Sequence, residues 1–120
     1  VVPAESKVGE KRVALVPDII SKLTRAGLSV AIQSGAGMHS GATDEAYRAS
    51  GAEVFDDTQL TAELGKADVV LSVQPLNATT AQHLKSGAIT ISFLSPTTSQ
   101  DSIDALAKVG ATAFLWVKVL

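Results

Sequence analysis

Cysteine is absent from this chain of 120 residues, so disulfide bonds and thiolate chemistry are excluded. The absence agrees with a reducing compartment, and we expect a cytoplasmic protein. Positive charge is not in excess either, because 10 lysines and arginines face 12 acidic residues and the net charge is -2. Nucleic acid is therefore not expected as a partner. No apolar run approaches the roughly eighteen residues of a membrane-spanning helix, so the sequence predicts no membrane segment.

Aromatic residues are also rare, at 4% of the chain, whereas 46% of the residues are hydrophobic. The hydrophobic residues are therefore mainly Ala, Val, Leu and Ile, which is typical of an α/β protein with buried aliphatic strands. This composition excludes a disordered chain. A length of 120 residues suits one domain with a core of its own.

Glycine precedes an apolar run at five places, namely Gly27, Gly51, Gly65, Gly87 and Gly110. Glycine readily adopts the left-handed conformation that ends a helix, and a strand that follows within a few residues is typical of a helix-to-strand connection. Strands that alternate with helices indicate a parallel sheet joined by crossovers. We therefore predict an α/β fold with a doubly wound, mostly parallel sheet and helices on both faces, of the Rossmann-like or flavodoxin-like kind.

The clearest predicted helix begins at Pro17, because proline suits the first helical position. Its spacing places Ile19, Ile20 and Leu23 on one apolar face. Four further helices are predicted to start at Thr43 or Asp44, at Thr58, at Asn77 or Thr79, and at Ser99 or Asp101. In the last of these, the residues predicted to face inward are Ile103, Leu106 and Ala107.

Gly35, Gly37 and Gly41 follow a predicted strand and partly match a dinucleotide-binding fingerprint. The fingerprint needs its third glycine three positions after the second, at the start of a helix, whereas Gly41 comes four positions after Gly37. The spacing therefore favours a tight turn with positive φ over a nucleotide site, and no cofactor-binding residue is assigned here.

The two histidines, His39 and His83, are far apart in the chain and neither lies near a serine and an acid in a nucleophile motif. Without cysteine, a zinc site would need both imidazoles and a carboxylate to converge, and the spacing does not arrange this. No metal ligand and no catalytic residue is therefore predicted. Trp116, in the last predicted strand, is interpreted as a core or interface residue.

The loop from Pro3 to Asp18 concentrates charge between a short apolar strand and the first helix. Arg12 is its sharpest candidate for binding a ligand, because a guanidinium presents a fixed fork of donors to carboxylate or phosphate. Ligands of open α/β sheets settle beyond the carboxyl ends of the strands, where this loop should lie. The polar residues expected at the same edge are Ser72, Gln74 and Pro75, and Ser95 to Thr98. Those residues could bind a small anion or cap the helices that follow.

Several blocks now occur in a fixed order: P-x-E-x-x-x-x-E-x-R-V-A-L-x-P, A-G-L-S-V-A-I-Q-S-G-A-G, D-E-A-Y-R-A-S-G-A-E, A-D-V-V-L-S-V and S-F-L-S-P. Together they resemble the amino-terminal domain of the alanine dehydrogenase and nicotinamide nucleotide transhydrogenase superfamily, from Pro3 to about Phe114. The F-L-S-P block resembles the alpha subunit of the proton-translocating NAD(P) transhydrogenase.

The resemblance implies hydride transfer between NAD(H) and NADP(H), coupled to proton translocation. It implies that NAD(H) is bound mainly by a second domain absent from this chain, so residues 1–120 would be one domain of a longer two-domain protein and inactive alone. The implied partners are the NAD-binding domain, other transhydrogenase subunits and a second copy in a homodimer. Contact with a membrane would come only through those subunits, at its cytoplasmic side.

Departures from the family pattern limit which residues the resemblance carries over. Alanine dehydrogenases place a proton-transferring histidine near the position of Ser95, and the family commonly carries a lysine where this chain has Ser72. Arg12 alone matches the substrate-side arginine of the family and remains the one predicted ligand-binding residue. Two alternatives stay open: an alanine dehydrogenase-type oxidoreductase domain, and a non-catalytic α/β module for assembly or small-anion binding.

Overall fold

The computed structural model describes residues 1–93 and 100–116, in which helices alternate with short parallel strands. The five helices are α1 (Pro17–Arg25), α2 (Asp44–Ala49), α3 (Leu60–Lys66), α4 (Ala78–Ala81) and α5 (Gln100–Val109). The five strands are β1 (Ala31–Gln33), β2 (Glu53–Phe55), β3 (Val69–Leu71), β4 (Ile89–Phe93) and β5 (Thr112–Trp116). Across these residues, every helix is too short and too polar to cross a membrane.

The strands form two parallel sheets, β1 with β2 and β3 with β4 and β5. The N-terminal residues join them: the Val2 amide donates to Ala31 O at 2.8 Å, and the Leu71 amide donates to Val1 O at 3.0 Å. The continuous order is therefore β2, β1, the segment Val1 to Val2, β3, β4 and β5. This is the strand order of a Rossmann-like doubly wound sheet, so the predicted fold class is confirmed.

Helices cover both faces of this sheet, as alternate residues of the strands show. Val2 packs in one apolar cluster with Ile20 of α1 and Tyr47 of α2. Val1 packs against the other cluster, whose buried members include Leu64 of α3 and Ala81 of α4. Because neighbouring strand residues face opposite ways, the two clusters are the two faces of one sheet.

The predicted helix ends are confirmed at Gly27, Gly51 and Gly110, which have φ between +77° and +99° just after α1, α2 and α5. Gly87 also has a positive φ, but it lies in a turn six residues after the end of α4 at Ala81. The prediction was wrong at Gly65, which lies inside α3, one residue before that helix ends. Gly65 has the same helical conformation as its neighbours in α3, and glycine can adopt that conformation although it favours a helix less than alanine does.

The helix starts agree with the sequence where a side chain caps the first turn. Thr43 caps α2, accepting from the Ala46 amide, and Asn77 caps α4, accepting from the Thr80 amide. The segment predicted to start at Thr58 begins one residue earlier, as a 3-10 turn from Asp57 that is capped by Asp56. Ser99 lies outside the described residues.

The inward face of α5 differs from the prediction. Ser102 is buried, and the apolar residues packed against the core are Ala105, Leu106 and Val109. Ile103, predicted to face inward, is 46% exposed, and Ala107 is exposed as well. Both spacings fit a helix, and the choice between them depends on the position of the sheet, which the helix sequence does not encode.

Candidate functional site

A cleft of about 500 Å³ lies at the carboxyl ends of the central strands, where the strand order reverses on either side of the N-terminal segment. This is the place where open α/β sheets bind ligands, and the volume lies within the range of ligand pockets. Most of the side chains that line the cleft are polar. They include Glu5, Ser6, Lys7, Gln33, Ser72, Gln74, Asn77, Thr80 and Ser102.

Glu5 is bound at the end of β3 by two consecutive main-chain amides. The Val73 amide donates to Glu5 Oε2 and the Gln74 amide donates to Glu5 Oε1, both at 2.9 Å. Burial raises the pKa of Glu5, against the opposing effect of these hydrogen bonds. The carboxylate therefore connects the first loop, residues 3–16, to the far side of the cleft.

Gln33, at the end of β1, fixes the same loop from the other side. The Ala4 amide donates to Gln33 Oε1 at 2.9 Å, and Gln33 Nε2 donates to Asp57 Oδ1 at 2.7 Å. The side chain is buried, so both of its polar groups need partners in the protein. The first loop is therefore held at two strand ends.

Arg12, the predicted ligand-binding residue, lies next to the cleft but does not line it. Its guanidinium donates to both carboxylate oxygens of Glu10, Nε to Oε2 at 2.9 Å and Nη2 to Oε1 at 2.8 Å. Gln74 Nε2 also donates to Glu10 Oε1, at 2.7 Å. The Arg12 side chain is 65% exposed, and the Glu10 side chain is 6% exposed.

The hydrogen bonds from Arg12, with that from Gln74, lower the pKa of Glu10 to about 2. Glu10 therefore stays ionised at neutral pH and holds the guanidinium in one orientation beside the cleft. The structure thus brings together two residues that the sequence placed at one edge, Arg12 and Gln74, through a glutamate. The ligand-binding role of Arg12 stays a prediction.

Ser72, at the end of β3, is used in a way that the sequence did not predict. Ser72 Oγ donates to the Gln74 carbonyl oxygen at 2.7 Å, so it neither caps a helix nor points a donor into the cleft. Asn77, the cap of α4, donates from Nδ2 to Ser6 Oγ at 3.3 Å. Ser95 to Thr98, predicted at the same edge, lie outside the described residues.

The glycine loop, residues 34–43, is a turn, as predicted. Gly35 and Gly41 have φ of +80° and +84°. Position 37 has no room for a side chain, because a Cβ there would lie 2.7 Å from the Tyr47 ring and 2.8 Å from Ala42 O. Tyr47 is buried, and its hydroxyl donates to Leu15 O at 2.7 Å, which ties this loop to the first one.

The glycine loop does not fit a nucleotide phosphate. The Gly35 amide donates to Asp44 Oδ1 at 2.9 Å, and Ser34 Oγ donates to Asp44 Oδ2 at 2.6 Å. These hydrogen bonds, the one from Gly35 first, lower the pKa of Asp44. Asp44 and Glu45 then form the first turn of α2, where a phosphate would meet two negative charges.

The remaining sequence candidates lie apart from the cleft. His39 lies in an exposed 3-10 turn, and His83 is half-buried just after α4. Within residues 1–93 and 100–116, three or more potential metal ligands nowhere group together. The side chain of Trp116 lies outside what the structure describes.

Sequence reasoning missed the residues that close the cleft, Glu5 and Gln33. Glu5 is part of the first block that carries the family resemblance, which is the one signal that could have pointed to it. Its partners follow it by 68 and 69 positions, so no local pattern indicates the contact.

Comparison with known proteins gives a consistent result. The family model for the alanine dehydrogenase/PNT N-terminal domain matches residues 1–116. The NAD(P) transhydrogenase subunit alpha of Cereibacter sphaeroides is 36% identical over 110 residues, which cover 92% of this chain and 21% of that protein. The alanine dehydrogenase of Mycobacterium tuberculosis is 36% identical over 119 residues, covering 98% of this chain and 31% of that protein.

Solved structures agree with this result. The transhydrogenase from Sinorhizobium meliloti superposes with a TM-score of 0.84 at 32% identity, over 95% of this chain and 33% of that one. An L-alanine dehydrogenase structure has the same TM-score at 26% identity, over 95% of this chain and 31% of that one. The chain therefore spans about a fifth to a third of the length of the relatives and structures named above.

Proposed function

This chain belongs to the alanine dehydrogenase/PNT N-terminal domain family, and we propose that it is part of the alpha subunit of an NAD(P) transhydrogenase. In this role it supports hydride transfer between NAD(H) and NADP(H) that is coupled to proton translocation. The observation that carries the proposal is the match of residues 1–116 to the family together with the likeness to transhydrogenase in sequence and fold.

NAD(H), which supplies or accepts the hydride, is bound in this proposal mainly by a second domain outside these 120 residues. Two features of the chain support this. The glycine loop donates its Gly35 amide to Asp44, and the cleft holds the Glu5 carboxylate on the amides of Val73 and Gln74. A dinucleotide phosphate would have to displace a carboxylate at either place.

The part played by this chain is then to form one wall of an interdomain cleft and to supply one cationic contact. Arg12 is the proposed contact, because its exposed guanidinium is held in a fixed orientation by Glu10. Positioning matters more than acid or base groups when two nicotinamides react, since the cofactors carry the reacting atoms. We accordingly assign no catalytic side chain to this chain.

The proposed partners follow from the same assignment. They are the NAD-binding domain, the other transhydrogenase subunits and a second copy of the chain in a homodimer. The chain is proposed to work at the cytoplasmic side of a membrane, which it reaches through those subunits, and to be inactive alone. Support comes from the relatives named as subunit alpha of NAD(P) transhydrogenase.

Alanine dehydrogenase is the second candidate, because relatives with that name match the chain at the same 36% identity. Ser95 argues against it, because alanine dehydrogenases place a proton-transferring histidine near this position and this chain has a serine. Ser72, where the family commonly has a lysine, also offers no charge to a substrate carboxylate.

An Arg12→Ala variant in the complete protein, assembled with its partner subunits, tests the proposed function. We expect reduction of NADP⁺ by NADH to fall about tenfold, because a charge-assisted contact is lost. Lys11→Ala, the exposed neighbour, is the control and should retain the unchanged rate.

Each outcome of this experiment has a defined meaning. An unchanged rate and unchanged NADH affinity in Arg12→Ala would remove Arg12 from the site. Alanine-dependent reduction of NAD⁺ without transhydrogenation by the unmodified protein would overturn the function in favour of the second candidate. Tight NADH binding by the 120-residue chain alone would contradict the placement of the nucleotide site.

A further inference from the structure

The two oxygens of the Glu5 carboxylate are bound as the oxygens of a small anion would be. Two successive main-chain amides, from Val73 and Gln74, donate to its two oxygens at 2.9 Å each. Concave pairs of successive amides are a recurrent binding site for phosphate and carboxylate groups. The amides of Val73 and Gln74 thus form an anion seat, and in this chain the carboxylate bound there is that of Glu5.

The position of this seat in the sheet relates it to ligand binding. It lies at the end of β3, next to the N-terminal segment, where the strand order of the sheet reverses. Doubly wound sheets bind the anionic parts of their ligands in this crevice. The seat also forms part of the cleft of about 500 Å³, which is large enough for a ligand.

We propose that Glu5 is a built-in occupant of the anion seat and acts as a specificity-determining residue that keeps anionic ligand groups, nucleotide phosphates included, out of the switch-point cleft. An incoming phosphate or carboxylate would have to break two hydrogen bonds and lie beside a negative charge. The inference does not depend on the proposed function, because it concerns only which groups the cleft of this chain admits.

Two amides and the charge of Arg12 favour a negative charge in this seat, whereas burial and the charge of Glu10 act against it, and burial is the largest of these effects on the pKa of Glu5. Lys7 lines the same cleft, and the positive charge of Arg12 acts on Glu5 from outside it. Glu10 is the opposing negative group, and its charge is bonded to Arg12. With the Glu5 side chain removed, the amides of Val73 and Gln74 would lose the carboxylate that accepts from them.

Hydrogen bonds that do not involve Glu5 hold both the first loop and the turn that carries the two amides, so we expect the seat to remain after the Glu5 side chain is removed. Gln33 binds the Ala4 amide through Oε1 and Asp57 through Nε2, which keeps the first loop at the end of β1. Ser72 Oγ bonds to the Gln74 carbonyl oxygen and stabilises the turn that presents the two amides. An emptied seat should therefore remain shaped for a small anion.

A Glu5→Ala variant of the 120-residue chain tests the proposal with acetate and inorganic phosphate as probes, at ionic strength held constant with sodium chloride. We expect the melting temperature of the variant to rise with acetate or phosphate concentration, and that of the unmodified chain to stay constant. The apparent dissociation constant for acetate should be at least about tenfold lower in the variant. The amide resonances of Val73 and Gln74 should shift on titration.

Two control variants make the test specific. Asp44→Ala removes the other carboxylate that accepts a loop amide, but it frees only one main-chain amide, from Gly35, outside the cleft. Glu5→Gln keeps a side chain of the same shape in the seat, where its Oε1 can accept from one of the two amides. Neither variant should gain a response to acetate.

The remaining results decide against the proposal. A folded Glu5→Ala variant that responds to neither probe, an equal response of Asp44→Ala, or an equal response of the unmodified chain would overturn it. Should Glu5→Ala fail to fold, acetate but not sodium chloride is expected to restore its native circular dichroism spectrum. Absence of that rescue would overturn the proposal too.

Discussion

The first loop and the glycine loop differ in how a carboxylate binds main-chain amides at the edge of the sheet. Each follows a central strand segment at the same edge of the sheet, and each takes part in a contact between a carboxylate and main-chain amides. In the glycine loop the Gly35 amide is bound by Asp44, nine positions later. In the first loop Glu5 binds the amides of Val73 and Gln74, which follow it by 68 and 69 positions.

The two carboxylates also differ in the direction of their pKa shifts. Asp44 closes a local turn at the surface, and its hydrogen bonds lower its pKa. Glu5 spans two strand ends in a half-buried cleft, and burial raises its pKa. A local carboxylate thus acts as a cap that forms with its own turn, whereas the long-range one depends on the assembled sheet.

The largest effect on this comparison is expected from Gly37→Ala, which should disrupt the glycine loop and its tie to the first loop. The new Cβ would lie 2.7 Å from Tyr47 and 2.8 Å from Ala42 O, a main-chain atom that cannot move aside cheaply. We expect a loss of about 2 to 3 kcal/mol in the free energy of unfolding. Urea denaturation followed by circular dichroism measures it.

Gly65→Ala is the matched control for that substitution. Gly65 lies inside α3, and a Cβ there would meet only His83 O, at the ordinary distance of 3.7 Å. Alanine favours a helix over glycine, so this variant should gain about 0.5 to 1 kcal/mol. A loss at Gly65 equal to that at Gly37 would refute the argument from crowding.

The sequence predicts the local loop far better than the long-range one. The turn at Gly35 and the cap at Thr43 follow from residue types and short spacing, and both are confirmed. The same local signals predict the alternation of helices and strands, from which the doubly wound sheet follows. Local chemistry is sufficient there because the interacting groups are within one turn of each other.

The cleft could not be predicted in the same way. The contact of Glu5 with Val73 and Gln74 exists only after the N-terminal segment pairs with β3. The pairing of Arg12 with Glu10 joins two neighbours whose charges alone do not distinguish an ion pair from a solvated loop. The same limit explains Ile103, because only the packed sheet determines which helix face is buried.

A smaller effect is expected from Asp44→Ala, which removes the closing group of the glycine loop. The variant loses the hydrogen bonds from Ser34 and Gly35; the one from Ser34 is exposed to water, and the one from Gly35 is half-buried. We expect a loss of about 1 kcal/mol in the free energy of unfolding. Ser34→Ala, measured in the same urea titration, should cost less, because it removes only one of these bonds.

The smallest and most discriminating effect is a difference in pH dependence between Glu5→Gln and Asp44→Asn. The pKa of Glu5 is raised in the folded state. As pH rises from the ordinary glutamate pKa to this raised pKa, the unfolded state has released a proton that the folded state still holds, and stability falls over that range. The lowered pKa of Asp44 gives the opposite sign, with stability lost as pH falls below the ordinary aspartate range.

Urea titrations between about pH 2.5 and pH 7 separate the two contributions as differences from the unmodified chain. Glu5→Gln should remove the loss of stability on the rising side, and Asp44→Asn should remove the loss on the falling side. Glu10, with a pKa of about 2, adds an acid-side loss to all three proteins, which cancels in the Asp44→Asn difference. In the Glu5→Gln difference it cancels only in part, because the charges of Glu5 and Glu10 interact. If the two difference curves have the same sign, Glu5 and Asp44 close their loops by the same mechanism, and the distinction between the local and the long-range carboxylate is lost.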